Sequence, residues 1–302
     1  MTLPERDQLV ELPRRRGKAQ AAFVSLRPRQ WTKNLLLFAG IIFAAKLGDA
    51  SRWLDAIAAF GAYCAASSAA YLVNDVRDAS HDRAHPVKRL RPIARGELSV
   101  RAAYAVATTL LVIAVALVSP LGLASLAFLA GFLVLQAAYT LWLKHVVLID
   151  VMTIAGLFVV RAAAGAAAVE VRISPWLLLC TALLALFLAL AKRRGELVLV
   201  GAEATPGRPV LQGYSLALVD QLVTVVAAST VISYCLYTFT ARGSKAMMIT
   251  IPFVLFGVFR YLLLMHRHDL GEEPEEILLR DVPILLCIAA WAVAAAVILS
   301  VT

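Results

Sequence analysis

Hydrophobic residues in this chain come in long unbroken runs, and the polar residues gather between them. Runs near 34–50, 53–74, 102–119, 121–142, 146–169, 174–191, 215–240, 247–266 and 282–301 each approach the ~20 residues a helix needs to cross a bilayer. The pattern predicts an all-α polytopic membrane protein of nine transmembrane helices. The polar connections are unequal. Those at 75–101 and 192–214 are long and charged, that at 266–281 (HRHDLGEEPEEILLRD) is long and acidic, and SPLG at 119–122 is short.

Composition agrees, with 61% of the 302 residues hydrophobic and 16% charged, against roughly 25% charged in soluble domains. Residues 1–30 carry Arg14, Arg15, Arg16, Lys18, Arg27 and Arg29 without an apolar core, which reads as a basic cytosolic tail rather than a cleaved leader, with 31–302 as the transmembrane catalytic domain. An N-terminus inside places 22 of the 29 Lys and Arg on the cytosolic side. The positive-inside rule then gives a multi-pass protein of the inner (plasma) membrane with the N-terminus in and the C-terminus out. Orientation and anionic membrane lipids account for much of the net charge of +9, so no nucleic-acid partner is expected. Cys64, Cys180, Cys235 and Cys287 fall within the runs without paired spacing, as buried inert thiols. A homo-oligomer is compatible with the pattern.

The chain has no phosphate-binding GxxxxGK[ST] loop, no GxGxxG, no HExxH and no ladder of charges through its spans. A transporter commonly places polar residues near the midplane on broken helices, whereas here they collect at one interface. That suits an enzyme that takes a soluble substrate from the cytosol and a lipid from the membrane. Small residues at 161–168 (RAAAGAAA) favour close helix packing. The second and sixth runs both deliver charged clusters inside, so two quasi-equivalent bundles around a cytosol-facing cavity are conceivable.

In NDVRDASHD, Asp75, Asp78 and Asp82 are spaced i, i+3, i+7, within about 60° on one face of a helix leaving the second span. A solvated acidic helix end would look the same. The adjoining Lys88, Arg89 and Arg91 favour another reading, in which carboxylates hold Mg²⁺ on a phosphate, with Asn74 beside them, and bases hold the phosphate itself.

The stretch fits the NDxxDxxxD signature of the UbiA superfamily of intramembrane prenyltransferases, which the chain resembles also in helix count and in the position of the motif. The resemblance implies that Asn74, Asp75, Asp78 and Asp82 bind Mg²⁺ on a diphosphate, with the three aspartates as catalytic residues. A typical member carries a second aspartate motif after the sixth helix. Here that place reads LAKRRGELVLVG, so Lys192, Arg193 and Arg194 are either anchors on the inner face or the receptor of a further phosphate. RPRQWTKN (27–34), KRLRPIARGEL (88–98), LKHVVLIDV (143–151), RAAAG (161–165) and GEEPEEILLRD (271–281) resemble a phosphoribosyl-transferring branch of the superfamily. That likeness implies 5-phosphoribosyl 1-diphosphate (PRPP) as donor, a polyprenyl phosphate as acceptor, Mg²⁺, and a product that starts the arabinan donor of certain cell walls. The rivals are an ordinary prenyltransferase with an aromatic acceptor and a non-catalytic lipid-phosphate transporter.

Further candidates for substrate binding are Lys33 and Asn34 at the start of the first run, Tyr139 and Lys144 around the fourth connection, and Arg161 within a span. Topogenic charge competes for Lys33, and an interface anchor for Tyr139. Asp150 lies about 16 Å from Arg161 along a helix, too far to pair. Arg260 has no evident partner. The Glu-rich 271–281 loop reads as a solvated loop before a lid.

Overall fold

The computed structural model describes residues 15–43, 48–84, 88–200, 209–240, 245–267 and 280–301. Among these the order is α1 (Lys18–Ser25), a 3-10 segment (Pro28–Phe38), α2 (Ala39–Phe43), α3 (Ala50–Ala84), α4 (Val100–Val118), α5 (Leu123–Leu141), α6 (Ile149–Ala168), α7 (Pro175–Val200), α8 (Leu216–Thr240), α9 (Ile251–Arg267) and α10 (Val282–Val301), with no strand. His85, Pro86 and the acidic stretch from Gly271 to Leu279 lie outside the described residues.

Eight of the described helices are long and apolar enough to cross a membrane, against nine expected. The difference lies in the first run. Its start is wound as the 3-10 segment and continues as the short α2. A 3-10 turn rises ~2.0 Å per residue against 1.5 Å in an α-helix, so the two pieces together extend roughly 30 Å, close to the thickness of a hydrocarbon core. Close packing on α6 accompanies the irregular winding. A Cβ on Gly165 would fall 2.0 Å from the Leu37 carbonyl oxygen, and one on Gly40 would fall 2.8 Å from the Ala166 backbone. The small-residue tract is therefore the surface on which the first run lies.

Burial separates interior helices from peripheral ones. The apolar windows of α3 and α6 are each 61% buried, whereas those of the other spans are 22–33% buried. Exposed Leu54, Val112, Ile113, Val134, Phe259 and Val293 face outward, as expected where lipid is the solvent. One core joins Leu37 to α3, α4, α5 and α6 through Tyr63, Phe132 and Leu157. A second joins α6 to α7, α8, α9 and α10 through Val151, Phe187, Tyr261 and Ile284. The helix shared by both cores is α6.

Helix α3 is 35 residues long, roughly 50 Å at 1.5 Å per residue and much longer than a bilayer core. It starts at Asp49, whose carboxylate accepts from the Ser51 and Arg52 backbone N–H groups at 3.1 and 3.3 Å. These bonds and the Arg52 side chain hold the Asp49 carboxyl below its ordinary range. The far end of α3 overruns the apolar layer and carries Asn74 to Asp82 with it.

Candidate active site

The loop after α3 folds back against its acidic end. Ile93, Ala94 and Leu98 are buried, Gly96 turns the chain at φ +71°, and Ser99 caps α4 by accepting from Ala102 N–H at 3.2 Å. Arg83 donates to the Ala94 carbonyl at 3.2 Å. Glu97, with 1% of its side chain exposed, pairs with Arg95 and Arg16, each at 3.2 Å. Arg16 also donates to the Leu90 carbonyl, and Ala21 and Ser25 of α1 are buried. Residues 16–25, within the segment expected as a tail, thus brace the loop that carries Arg91.

Arg91 is delivered onto the acidic face. Its NH1 donates to Asp75 Oδ1 at 3.1 Å and to Asp82 Oδ2 at 2.7 Å, so two carboxylates two helical turns apart converge on one cation. Arg27 also reaches Asp75 Oδ1 and lies over the Tyr71 ring, 4.9 Å from its centre. Its backbone is left-handed, at φ +54°, where the chain turns from α1 into the 3-10 segment. Asp78 accepts from Asn74 Nδ2 at 3.0 Å and faces Lys144 Nζ at 3.4 Å. Asn74, Asp75, Asp78, Asp82, Arg91 and Lys144, separate in sequence, thus share one site. Arg27, which the sequence presents as one more charge of the basic tail, joins them.

A divalent metal fits this donor set. Among the described residues no three His, Cys, Asp or Glu side chains converge on one point, but Mg²⁺ is commonly held by one or two carboxylates with phosphate oxygens completing the shell. The position of the Arg91 nitrogen establishes that Asp75 and Asp82 can serve one cation together.

Other candidates lie elsewhere. Lys88 and Arg89 form a short 3-10 turn at the rim, half-buried and exposed respectively, and Lys33 is half-buried beside buried Asn34. Arg193, expected as a phosphate ligand, has 1% of its side chain exposed and is enclosed by carboxylates: Asp150 at 2.8 Å and Glu196. Asp150 also accepts from the Tyr214 hydroxyl at 2.6 Å, and that hydroxyl accepts from Leu148 N–H at 2.8 Å. Burial and the adjacent carboxylate push the Tyr214 hydroxyl above its ordinary range. Arg194 pairs with Asp220 at 2.7 Å and donates to the Met265 carbonyl. Both arginines tie α7 to its neighbours, because a buried cation keeps its charge only where a partner meets it. Lys192 and Tyr139 are half-buried. Arg161 and Asp150 do not meet, as their spacing implies, and Arg260 pairs with Asp281 at 2.9 Å. Sequence spacing carries no signal for the pairing of Arg27 with Asp75, Glu97 with Arg16, Tyr214 with Asp150 or Asp220 with Arg194, which lie 26 to 81 residues apart.

Comparison with known proteins accounts for the fold. The UbiA homologue of Archaeoglobus fulgidus, solved bound to GPP and Mg²⁺, superposes with a TM-score of 0.73 at 19% identity, covering 93% of this chain and 100% of that one. Decaprenyl-phosphate phosphoribosyltransferase of Mycolicibacterium smegmatis is 35% identical over 284 residues, 88% of each chain. That of Corynebacterium glutamicum is 33% identical over 283 residues, 90% of this chain and 85% of its own. The UbiA prenyltransferase family profile matches residues 35–280, from the 3-10 segment to the threshold of α10, and the chain belongs to that family.

Proposed function

We propose that the protein transfers the 5-phosphoribosyl group of PRPP to a polyprenyl phosphate, decaprenyl phosphate in its relatives' names, and releases diphosphate. The observation that carries the reading is the convergence of Asp75 and Asp82 on one cation position, with Arg27, Arg91 and Lys144 around it. Acids for a metal on one helix face, with bases for phosphates brought against it from other segments, are what a diphosphate-leaving reaction requires.

Asp75 and Asp82, with Asn74 and Asp78 alongside, would hold Mg²⁺, whose charge neutralises the oxygens of the departing diphosphate. The bond between C1 of the ribose and the diphosphate oxygen breaks, and the leaving group takes the electron pair. An oxygen of the lipid phosphate forms the new bond to C1 from the opposite face. No general base is required, because that nucleophile is already anionic at neutral pH. Arg27 and Lys144 supply positive charge where phosphate oxygens gather, held in place before the substrate arrives. The folded 88–99 loop, braced by Glu97, keeps Arg91 beside the site, where its guanidinium would yield the place between Asp75 and Asp82 to the metal and turn to a phosphate oxygen.

The reading places the protein in the plasma membrane with the N-terminus and the site cytosolic and the C-terminus outside, residues 31–302 forming the catalytic domain. It makes the product the first lipid-linked precursor of an arabinose donor for cell-wall arabinan. Anionic lipids neighbour the basic inner surface, and a homo-oligomer is compatible with it.

The test is product formation from radiolabelled PRPP and decaprenyl phosphate in membranes, with and without Mg²⁺. A labelled lipid-soluble product that depends on Mg²⁺ supports the proposal. No such product, from folded protein that instead couples a prenyl diphosphate to an aromatic acid, replaces it with the ordinary prenyltransferase reading.

A further inference from the structure

Arg161 has 4% of its surface exposed, on an interior helix of the bundle, and no carboxylate among the described residues pairs with it. An unpaired cation at such depth is costly unless something anionic or strongly dipolar answers it. Its Nε donates to Asn34 Oδ1 at 2.8 Å, and NH1 donates to the Leu157 carbonyl at 3.0 Å. Phe132 and Phe158 lie against the guanidinium, with ring centres 4.7 and 5.4 Å away. A guanidinium has five N–H donors, so these contacts fix its plane and leave donors over.

Two more unanswered donors stand nearby. The Tyr63 hydroxyl and Ser67 Oγ, one turn apart on α3 and 1% and 4% exposed as residues, are buried with no hydrogen-bond partner among the described residues. Tyr63 packs on Phe132 with ring centres 5.1 Å apart, and Phe132 is the ring that Arg161 covers. A fixed cation and two spare hydroxyls without an acid among them suit an anion, not a metal.

The position relates this cluster to the acidic face. Asn34, which accepts from Arg161, donates to Cys64 Sγ at 3.3 Å, and Phe132, which the guanidinium covers, packs on Tyr63, so the guanidinium lies near the Tyr63–Cys64 level, about 16 to 18 Å along α3 from Asp75 at 1.5 Å per residue. Were the diphosphate of PRPP held at Asp75 and Asp82, a sugar directed along α3 would present the far side of C1 to this cluster. Two phosphate monoesters occupy that side. The acceptor's phosphate must attack C1 opposite the leaving group, and in an α-linked donor the C5 arm with its phosphate stands on the same face of the ring.

We propose that Arg161, oriented by Asn34 and joined by Tyr63 and Ser67, binds a phosphate monoester on the attacking side of the sugar. This rests on the phosphoribosyl-transfer reading.

The experiment measures affinity of the purified protein for PRPP with Mg²⁺, and separately for decaprenyl phosphate, by equilibrium binding rather than turnover. Arg161→Met is expected to weaken one of the two by about 10- to 100-fold, the value of hydrogen bonds to a charged group. Tyr63→Phe should weaken the same one by about 2- to 10-fold. Loss confined to PRPP assigns the ribose 5-phosphate, and loss confined to the lipid assigns the acceptor phosphate. Should Arg161→Met not fold, Arg161→Lys, which keeps the charge without the planar fork, and Tyr63→Phe carry the test. Folded variants that bind both ligands as the parent does would overturn the proposal and leave Arg161 a structural tie between the 3-10 segment and α6. If the parent binds both ligands but transfers no phosphoribosyl group, the functional reading falls while the binding assignment stands on its own data.

Discussion

Asp150 and Arg193 meet at 2.8 Å with 0% and 1% of their side chains exposed, joining the first turn of α6 to the C-terminal half of α7. Removing one partner of such a pair leaves a buried charge unanswered, which costs about 3–5 kcal/mol. Arg193→Gln and Asp150→Asn are therefore expected to lower the Tm of the detergent-solubilised protein clearly. An Arg193→Gln protein of unchanged Tm that binds one substrate more weakly would return Arg193 to the role of phosphate ligand.

Carboxylates that hold a metal on a leaving group are worth several kcal/mol in the transition state. Asp75→Asn and Asp78→Asn should each lower kcat by about 100-fold or more, about 2.7 kcal/mol. The fold should survive, because Arg91 retains Asp82 as a partner and Asn74 can still donate to the new amide. Turnover against Mg²⁺ concentration, with Tm measured alongside, checks this. Full activity in either variant removes the metal assignment.

The acidic face is legible in the amino-acid sequence, because i, i+3, i+7 spacing is a local property of one helix. Asp75 and Asp82 do converge, but Asp78 turns to Asn74 and Lys144, a division that spacing does not contain. The membrane class is legible from the length of apolar runs. The winding of the first run is not, since apolarity dictates burial and not helix type, and the approach of Leu37 to Gly165 involves residues 128 apart. Arg193 and Arg194 resemble a basic surface cluster in sequence because the acids that bury them, Asp150 and Asp220, belong to other helices.

Gly165 offers a steric test of that approach. A methyl group there would overlap the Leu37 carbonyl, whereas at Gly131 nothing lies within 4 Å. Gly165→Ala is expected to destabilise by about 1–3 kcal/mol, as overpacking does. Gly131→Ala, in the middle of α5, should be neutral or stabilising by up to about 1 kcal/mol, the helix propensity gained. Equal Tm values for the two variants would mean the 3-10 segment does not lie so close to α6.

Asp281 accepts from Arg260 at 2.9 Å and from the Ile284 backbone N–H at 2.9 Å. The Arg260 hydrogen bond, reinforced by that of Ile284, holds its carboxyl below the usual range. A carboxyl lowered on folding stabilises the folded state above its unfolded pKa of ~3.9, and that contribution disappears as the pH falls through the lowered folded value. The Tm difference between the parent and Asp281→Asn should therefore be present at pH 6 and narrow on acidification below about pH 4. A difference that stays constant down to pH 3 would show that the charge of the Asp281 carboxylate contributes nothing through Arg260 or the Ile284 N–H.

Arg27 is the site residue that the sequence places in the tail, and its geometry separates charge from shape. Its guanidinium pairs with Asp75 while lying 4.9 Å above the centre of the Tyr71 ring. Once Asp75 engages a metal, the same guanidinium is in place for a phosphate oxygen, still supported by the ring. Lysine keeps the charge but has no plane to stack and no fork to share between two oxygens. Arg27→Gln should raise KM for PRPP by about tenfold, one charge-assisted hydrogen bond, and leave KM for the lipid unchanged. Arg27→Lys should recover only part of that loss, and Tyr71→Leu should produce a loss of similar kind and smaller size. Complete recovery with lysine would reduce the role to positive charge alone, and an unchanged KM in the glutamine variant would place Arg27 outside the substrate site.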